Sequence, residues 1–97
     1  MAQVTGKFVT TLPVVEGENN GKSWARGGFV METLDAYPKY VALTIFGVDR
    51  LKLTQGLNAG DIIIAEYSPE SRNVNERWYT DLKCIRITRT VNMEGRV

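Results

Sequence analysis

The chain has 97 residues, of which 43% are hydrophobic and 24% are charged, and 12 cationic side chains face 11 anionic ones for a net charge of +1. This composition excludes a disordered chain, and the length suits a single domain, residues 1–97, with its own core. No apolar run approaches the roughly 20 residues that span a bilayer, so we expect no membrane helix.

Alternating apolar and polar residues predict a first strand at Val4–Leu12. Gly6 inside this strand predicts a bulge or a close approach of the backbone. Pro13 is expected to end the strand. The polar residues 16–22 then predict a long loop.

A second strand is predicted at Ser23–Thr33. Strand parity places Phe29 and Met31 on the core face. Trp24 and Arg26 then stand on the opposite face, beside the loop that carries Lys22.

A third strand is predicted at Tyr40–Phe46, with a core face formed by Val41, Leu43 and Ile45. Tyr40, Thr44 and Phe46 point away from that core. Between Gly47 and Gly60 the period of the apolar residues changes. Val48, Leu51, Leu53 and Leu57 are spaced as in one short helix or helical turn.

The last two strands are predicted at Asp61–Ser71 and Arg77–Thr90, joined by a charged loop at residues 72–76. Trp78 and Tyr79 are adjacent and must point to opposite faces. Trp78 shares the parity of Leu82 and Cys84, which predicts that Trp78 is a core residue and that Tyr79 points outward.

A bulge in the last strand would exchange the faces predicted for Trp78 and Tyr79. Ile85 and Ile87 carry the parity of Tyr79 although both are apolar. They indicate that the register shifts late in the strand, or that both faces are covered there.

Five strands with a short helix between the third and fourth follow the order of the OB-fold, an all-β, five-stranded Greek-key barrel. Barrels of this kind commonly bind oligonucleotides or oligosaccharides through strands 2 and 3 and the 1–2 and 4–5 loops. Another five-stranded barrel or sandwich remains the structural alternative.

The sequence also resembles a family of small, uncharacterised bacterial proteins that look like shortened relatives of bacterial single-stranded-DNA-binding proteins. The resemblance covers nearly the whole chain and rests on the order and spacing of these segments: Asn20–Trp24, Phe29–Thr33, Tyr37–Lys39, Phe46-Gly47, Gly60-Asp61, Glu70–Arg72 and Arg77–Asp81.

This resemblance implies an OB-fold, single-strand binding by aromatic stacking, and a homo-oligomer such as a dimer or tetramer. The chain departs from the better-known family members at residues 90–97, where it ends without a long tail and acidic tip. We therefore do not expect it to recruit proteins through such a tail.

Aromatic and basic residues together suit a single-stranded nucleic acid, because rings stack on bases and cations meet phosphates. The candidate contact residues are Lys22, Trp24, Arg26, Tyr40, Phe46, Arg72, Arg77, Tyr79 and Lys83. The alternative for Trp24 and Phe46 is that they cap the barrel or fill a subunit interface. For Arg72 and Arg77 the alternative is pairing with Glu70 and Glu76 across a hairpin.

Catalysis has little support, because the chain contains no histidine, which is the commonest general base and metal ligand. Its glycines match no phosphate-binding motif. Cys84, amid apolar neighbours, is interpreted as a small core residue. We expect no enzyme, no metal and no cofactor.

The cellular setting follows from the N-terminus and the cysteine content. Residues 1–7 lack the layout of a signal peptide. The single Cys84 cannot form an internal disulfide. Both features favour a cytoplasmic protein.

Two functions stay open. The favoured hypothesis is a sequence-tolerant single-stranded-DNA-binding protein of replication, recombination or repair, with RNA not distinguished from DNA. The other is an OB-fold protein–protein interaction or assembly module, favoured by the net charge of +1, because phosphate binders often carry a large positive excess.

Overall fold

A computed structural model describes residues 2–90, which form five strands and one 3₁₀ helix. The elements are β1 (Ala2–Asn19), β2 (Lys22–Thr33), β3 (Tyr40–Phe46), the 3₁₀ helix (Arg50–Thr54), β4 (Ile62–Val74) and β5 (Arg77–Arg89). The strands close into a barrel in the order β1-β2-β3-β5-β4. All neighbouring strands are antiparallel except β3 and β5, which are parallel.

The first half of β1 is shared between two neighbours, since it pairs with β2 on one edge and with β4 on the other. Gly6 lies where the three strands meet, opposite both Thr33 and Ile63. A Cβ atom at Gly6 would overlap the carbonyl oxygen of Glu32. The close backbone approach predicted at Gly6 is confirmed.

The interior of the barrel is apolar, and the inward parity predicted for β2 and β3 is confirmed. Its buried residues are Phe8, Ala25, Phe29, Met31, Leu43, Ile45, Ile63, Ala65 and Cys84. The rings of Phe8 and Phe29 pack with centroids 6.0 Å apart. The predicted helical turn also exists, and Leu51 and Leu53 of the 3₁₀ helix pack against this core together with Leu57.

The first hairpin is longer than predicted. Pro13 does not end β1, which continues to Asn19 and stays paired with β2. Pro13 is tolerated because it lies in an irregularity between Leu12 and Val15, where the ladder does not need its missing N–H. The predicted loop at residues 16–22 shrinks to a two-residue turn.

That turn consists of Asn20 and Gly21, whose φ angles are 53° and 80°. Two successive positive φ angles define the turn that best matches the twist of a tight hairpin. Residues 13–24, which include this turn, form an arm that we call the first arm.

The second hairpin corrects the predicted loop at residues 72–76 in the same way. β4 continues to Val74, and only Asn75 and Glu76 form the turn, with φ angles of 52° and 66°. Residues 71–80 are all exposed. We call residues 68–83 the second arm; its tip extends beyond the core.

Trp78 is not a core residue, because 71% of its surface is exposed. It does share a face with Leu82 and with the buried Cys84, as its parity predicts. The barrel, however, ends before the arm does. Parity gave the correct face, but no core remains at that distance to cover the ring.

The register of β5 shifts once, as Ile85 and Ile87 indicate. Glu66 pairs with Arg86 and the next residue, Tyr67, pairs with Cys84, which leaves Ile85 without a partner in the ladder. The bulge follows Cys84 in the chain, so it does not invert the faces of the second arm.

Two further expectations concern the chain ends and the membrane. The expected lack of an acidic tail concerns residues 90–97, of which 91–97 lie outside the described part of the chain. Within residues 2–90, no helix is long and apolar enough to cross a membrane.

Gly28 generates a test of how tightly β2 packs on β3. A Cβ at this position would overlap the carbonyl oxygen of Leu43 and lie 3.3 Å from Cδ1 of Leu12. Backbone atoms cannot rotate away, so Gly28→Ala should lower the free energy of unfolding by about 1–3 kcal/mol. Urea denaturation followed by circular dichroism measures the change.

The control is Thr11→Ala, at an exposed residue of β1, which should change stability by no more than about 0.5 kcal/mol. Equal denaturation midpoints for Gly28→Ala and the wild type would contradict the packing described for these strands.

Candidate nucleic-acid interface

The outer surface of β2 and β3 brings three of the candidate residues together. Arg26 pairs in register with Phe46, and Trp24 lies two residues earlier on the same face of β2. These side chains line a groove of about 400 Å³. Its full lining is Ser23, Trp24, Ala25, Arg26, Phe46, Gly47 and Val48. The groove offers two rings and one cation, which is the chemistry of a stacked base beside a phosphate.

The Trp24 ring packs against the opposite strand of the first arm. Trp24 pairs in register with Gly17, and a Cβ at Gly17 would overlap the indole ring. The ring therefore packs directly against Gly17, with 43% of the residue exposed. Its position is fixed by packing, yet one part of the ring remains open to a ligand.

A second groove of about 400 Å³ also borders Trp24 and has a different charge character. Glu16 and Glu18 contribute to its lining, whereas Arg26 lines the first groove. A phosphate would be repelled by the two carboxylates. The groove that Arg26 lines is therefore the one suited to a polyanion.

Lys83 links this groove to β5. Its register partner on β3 is Thr44, and its Nζ atom lies 5.2 Å from the centroid of the Phe46 ring. This distance is within the range of a cation–π contact. The groove and the second arm are therefore continuous at Phe46 and Lys83.

The outer face of the second arm carries Arg72 and Tyr79, which are register partners. The Arg72 guanidinium carbon lies 5.8 Å from the centroid of the Tyr79 ring. Tyr79 is 43% exposed and points outward, as predicted. Arg72 also forms an ion pair with Asp81, in which its Nη1 lies 2.9 Å from Oδ2.

The alternative predicted for Arg72, an ion pair across the hairpin, is correct in kind but wrong in its partner. Arg72 is paired, but its partner is Asp81 rather than Glu70 or Glu76. Glu70 pairs instead with Lys83, at 3.4 Å from Nζ to Oε2.

Three candidates lie away from this row of side chains. Tyr40 is at the opposite end of β3 from Phe46, about 20 Å away at the usual rise per residue of a strand. Lys22 and Arg77 begin β2 and β5, next to the turns at the tips of the two arms. Both share the face of their neighbouring ring by parity, Lys22 with Trp24 and Arg77 with Tyr79.

Trp78 is an exposed ring that is absent from the predicted contact residues, because its parity predicts a core position. It lies opposite Asn73 on the inner face of the second arm, the face that continues from the core. The signal that could have found it is distance: six residues separate Trp78 from Cys84, about 20 Å of strand. A barrel of this size does not extend that far.

Within residues 2–90, no group of three or more His, Cys, Asp or Glu side chains is placed to hold a metal ion. Cys84 is 2% exposed, and burial raises the pKa of its thiol to about 11. Asp61 lies directly before β4. The backbone N–H of Asn58 and the guanidinium of Arg89 lower its pKa. These contacts stabilise the start of β4 and do not indicate a reactive site.

A family model described as Domain of unknown function (DUF3127) matches residues 3–88. No curated protein matches the chain significantly. The fold is similar to that of Rim1, a mitochondrial single-stranded DNA binding protein from S. cerevisiae, with a TM-score of 0.69, 14% identity and coverage of 94% of this chain and 95% of Rim1.

A second similar structure is the N-terminal domain of PriB from Thermoanaerobacter tencongensis, solved as a dimer, with a TM-score of 0.61, 19% identity and coverage of 94% and 96%. At these identities the likeness concerns the fold alone. It confirms the predicted OB-fold and the predicted resemblance to single-strand-binding proteins.

The pKa of Cys84 predicts slow thiol chemistry in the folded protein. At pH 8 a thiol of pKa about 11 is ionised roughly 100-fold less than one of ordinary pKa, and only the thiolate reacts. Labelling with iodoacetamide should therefore be at least about 100-fold slower in buffer than in urea. Equal rates in the two solvents would contradict the burial of Cys84.

Proposed function

We propose that this chain, which belongs to the DUF3127 family, binds single-stranded DNA without strong sequence preference. The observation that carries the proposal is the contact of Lys83 with the Phe46 ring, because it joins two sets of rings and cations into one surface. We call this the platform: Trp24, Arg26, Phe46, Lys83, Arg72 and Tyr79.

The chemistry of the platform suits unstacked bases. Every base has a π-face, so rings bind single strands with little regard to sequence, at about 1–3 kcal/mol per stacked base. Arg26, Lys83 and Arg72 lie beside those rings and can meet the phosphates between bases. A duplex would not offer its bases to these rings, because they are stacked inside it.

The position of the platform agrees with how OB-folds are used. It covers the outer face of β2 and β3 and the outer face of the second arm, and these regions commonly bind oligonucleotides in this fold. The likeness to Rim1, described as a single-stranded DNA binding protein, supports the same function. It also favours a binding protein over an enzyme.

The test uses a Trp78→Phe variant, in which Trp24 is the remaining tryptophan. Titration with an oligo-dT strand should quench its fluorescence, and the quenching should weaken as salt rises, because phosphate contacts release counterions. No quenching at low salt by a folded protein would contradict the proposal.

Tyr79→Ala should weaken oligo-dT binding by about 1–3 kcal/mol, because one stacking ring is lost. Tyr37→Ala is the matched control, since Tyr37 is 84% exposed and lies between β2 and β3, outside the platform. Anisotropy of a labelled strand measures both. Equal losses for the two variants would contradict the assignment of Tyr79 to the platform.

A second candidate function, a homo-oligomeric assembly module, is favoured by the inner face of the second arm. This face carries Trp78, 71% exposed, and no charged residue. Its members are Pro69, Ser71, Asn73, Trp78, Thr80 and Leu82. If this face joins copies of the chain, Trp78→Ala should lower the mass measured by analytical ultracentrifugation, whereas an unchanged mass would contradict the assembly function.

A further inference from the structure

Four charges in the middle of the second arm form a neutral block on its outer face. Glu70 and Asp81 are register partners, directly opposite each other. Like charges at opposite positions destabilise a sheet. The block is held by two cations, since Lys83 lies 3.4 Å from Glu70 and Arg72 lies 2.9 Å from Asp81.

The same two cations contact the rings of the platform. Lys83 lies over Phe46 at 5.2 Å and Arg72 lies over Tyr79 at 5.8 Å. Each is therefore placed to meet the phosphate next to a stacked base, and each is already paired with a carboxylate. A strand that binds there must compete with Glu70 and Asp81.

Competition of this kind is feasible because the pairs are open to water. The side chains of Lys83 and Glu70 are 38% and 57% exposed, and those of Arg72 and Asp81 are 54% and 29% exposed. Exposed ion pairs are weak. A polyanion can therefore displace the carboxylates, but it loses affinity in doing so.

Given the proposed function, on which this inference rests, we propose that Glu70 and Asp81 are internal competitors of the DNA backbone. With no strand bound, they hold Lys83 and Arg72 over the rings. When a strand binds, phosphates replace the carboxylates, and the two displaced carboxylates remain close to the phosphates and repel them. The opposed pair thus lowers affinity and keeps binding reversible.

The response to salt gives this mechanism a specific signature. A free cation that binds a phosphate releases a counterion, and each such contact steepens the plot of log K against log salt by about 0.7 for a single strand. When the cation leaves a carboxylate, that carboxylate takes up a counterion and offsets the release. Lys83 and Arg72 should therefore add little to the slope of the wild type.

The test replaces the competitors by neutral side chains of the same shape, Glu70→Gln and Asp81→Asn. Each variant should bind oligo-dT about 2–5-fold more tightly at low salt, the range that corresponds to a weak surface pair. The double variant should also show a salt slope steeper by up to about 1.4, from two newly free cations.

Glu66→Gln is the matched control. It removes the same charge from the same strand, where Glu66 pairs with Arg86 at 3.9 Å, and neither residue of that pair belongs to the platform. Its position is about 13 Å along β4 from Glu70, beyond the screening length of about 8 Å at about 0.15 M salt, so the variants are compared at that salt concentration as well as at low salt. Its affinity and slope should stay near those of the wild type.

A mutant cycle assigns the gain to one cation. In an Arg72→Ala background, Asp81→Asn should give a smaller gain than in the wild type and no steeper salt slope, because only the direct repulsion of the phosphates is removed and no cation is freed. If Asp81→Asn unfolds the arm, Glu70→Gln with the corresponding Lys83→Ala background carries the same test.

The outcomes separate the two proposals. If no variant and no wild type binds oligo-dT at low salt, the proposed function fails. If the wild type binds, but Glu70→Gln and Asp81→Asn bind no more tightly than Glu66→Gln, the competition is overturned and the function stands.

Discussion

The parallel pairing of β3 with β5 is the constraint on which the candidate surface depends. It closes the barrel and places Lys83 beside Thr44. Because Phe46 lies two residues beyond Thr44 on the same face, the Lys83 amine reaches its ring. Without this pairing, the groove beside Trp24 and the rings of the second arm would belong to separate parts of the molecule.

Two short turns then determine how far the surface extends. The turns Asn20-Gly21 and Asn75-Glu76 let both hairpins continue as paired strands. Paired strands alternate their faces strictly, so rings and cations of one parity line up along each arm. An irregular loop of the same composition would not hold Arg72 over Tyr79.

The net charge of +1, which counts against a nucleic-acid function, takes a different meaning from this arrangement. The cations of the second arm are neutralised by Glu70 and Asp81 on the same face. Under the proposed function, the charge that this surface presents to DNA therefore depends on which of these ion pairs break when the strand binds. A balance taken over the whole chain does not describe it.

Period-2 alternation predicted much of the fold, because a closed barrel buries one face of each strand. It placed Phe29, Met31, Leu43 and Ile45 in the core correctly. The prediction is wrong where a strand extends beyond the core: Pro13 predicts the end of β1, but the irregularity between Leu12 and Val15 accommodates it.

The same limit applies to the candidate site. Parity gave the outward faces of Trp24, Arg26, Phe46 and Tyr79 correctly. It placed Trp78 in the core, because parity reports direction and not whether anything lies in that direction. The separation of Tyr40 from Phe46 follows from the length of β3, but the partners of Arg72 and Lys83 could not be predicted, since they depend on the register between strands.

The central claim is that the outer faces of β2, β3 and the second arm act as one surface for a single strand. The most direct measurement is a ¹H–¹⁵N NMR titration of the protein with a short oligo-dT. We expect the signals of Trp24, Arg26, Phe46, Lys83 and Tyr79 to shift together along one binding curve, while those of Tyr37 and Tyr40 stay in place. Shifts confined to one arm, or shifts centred on Trp78, would contradict it.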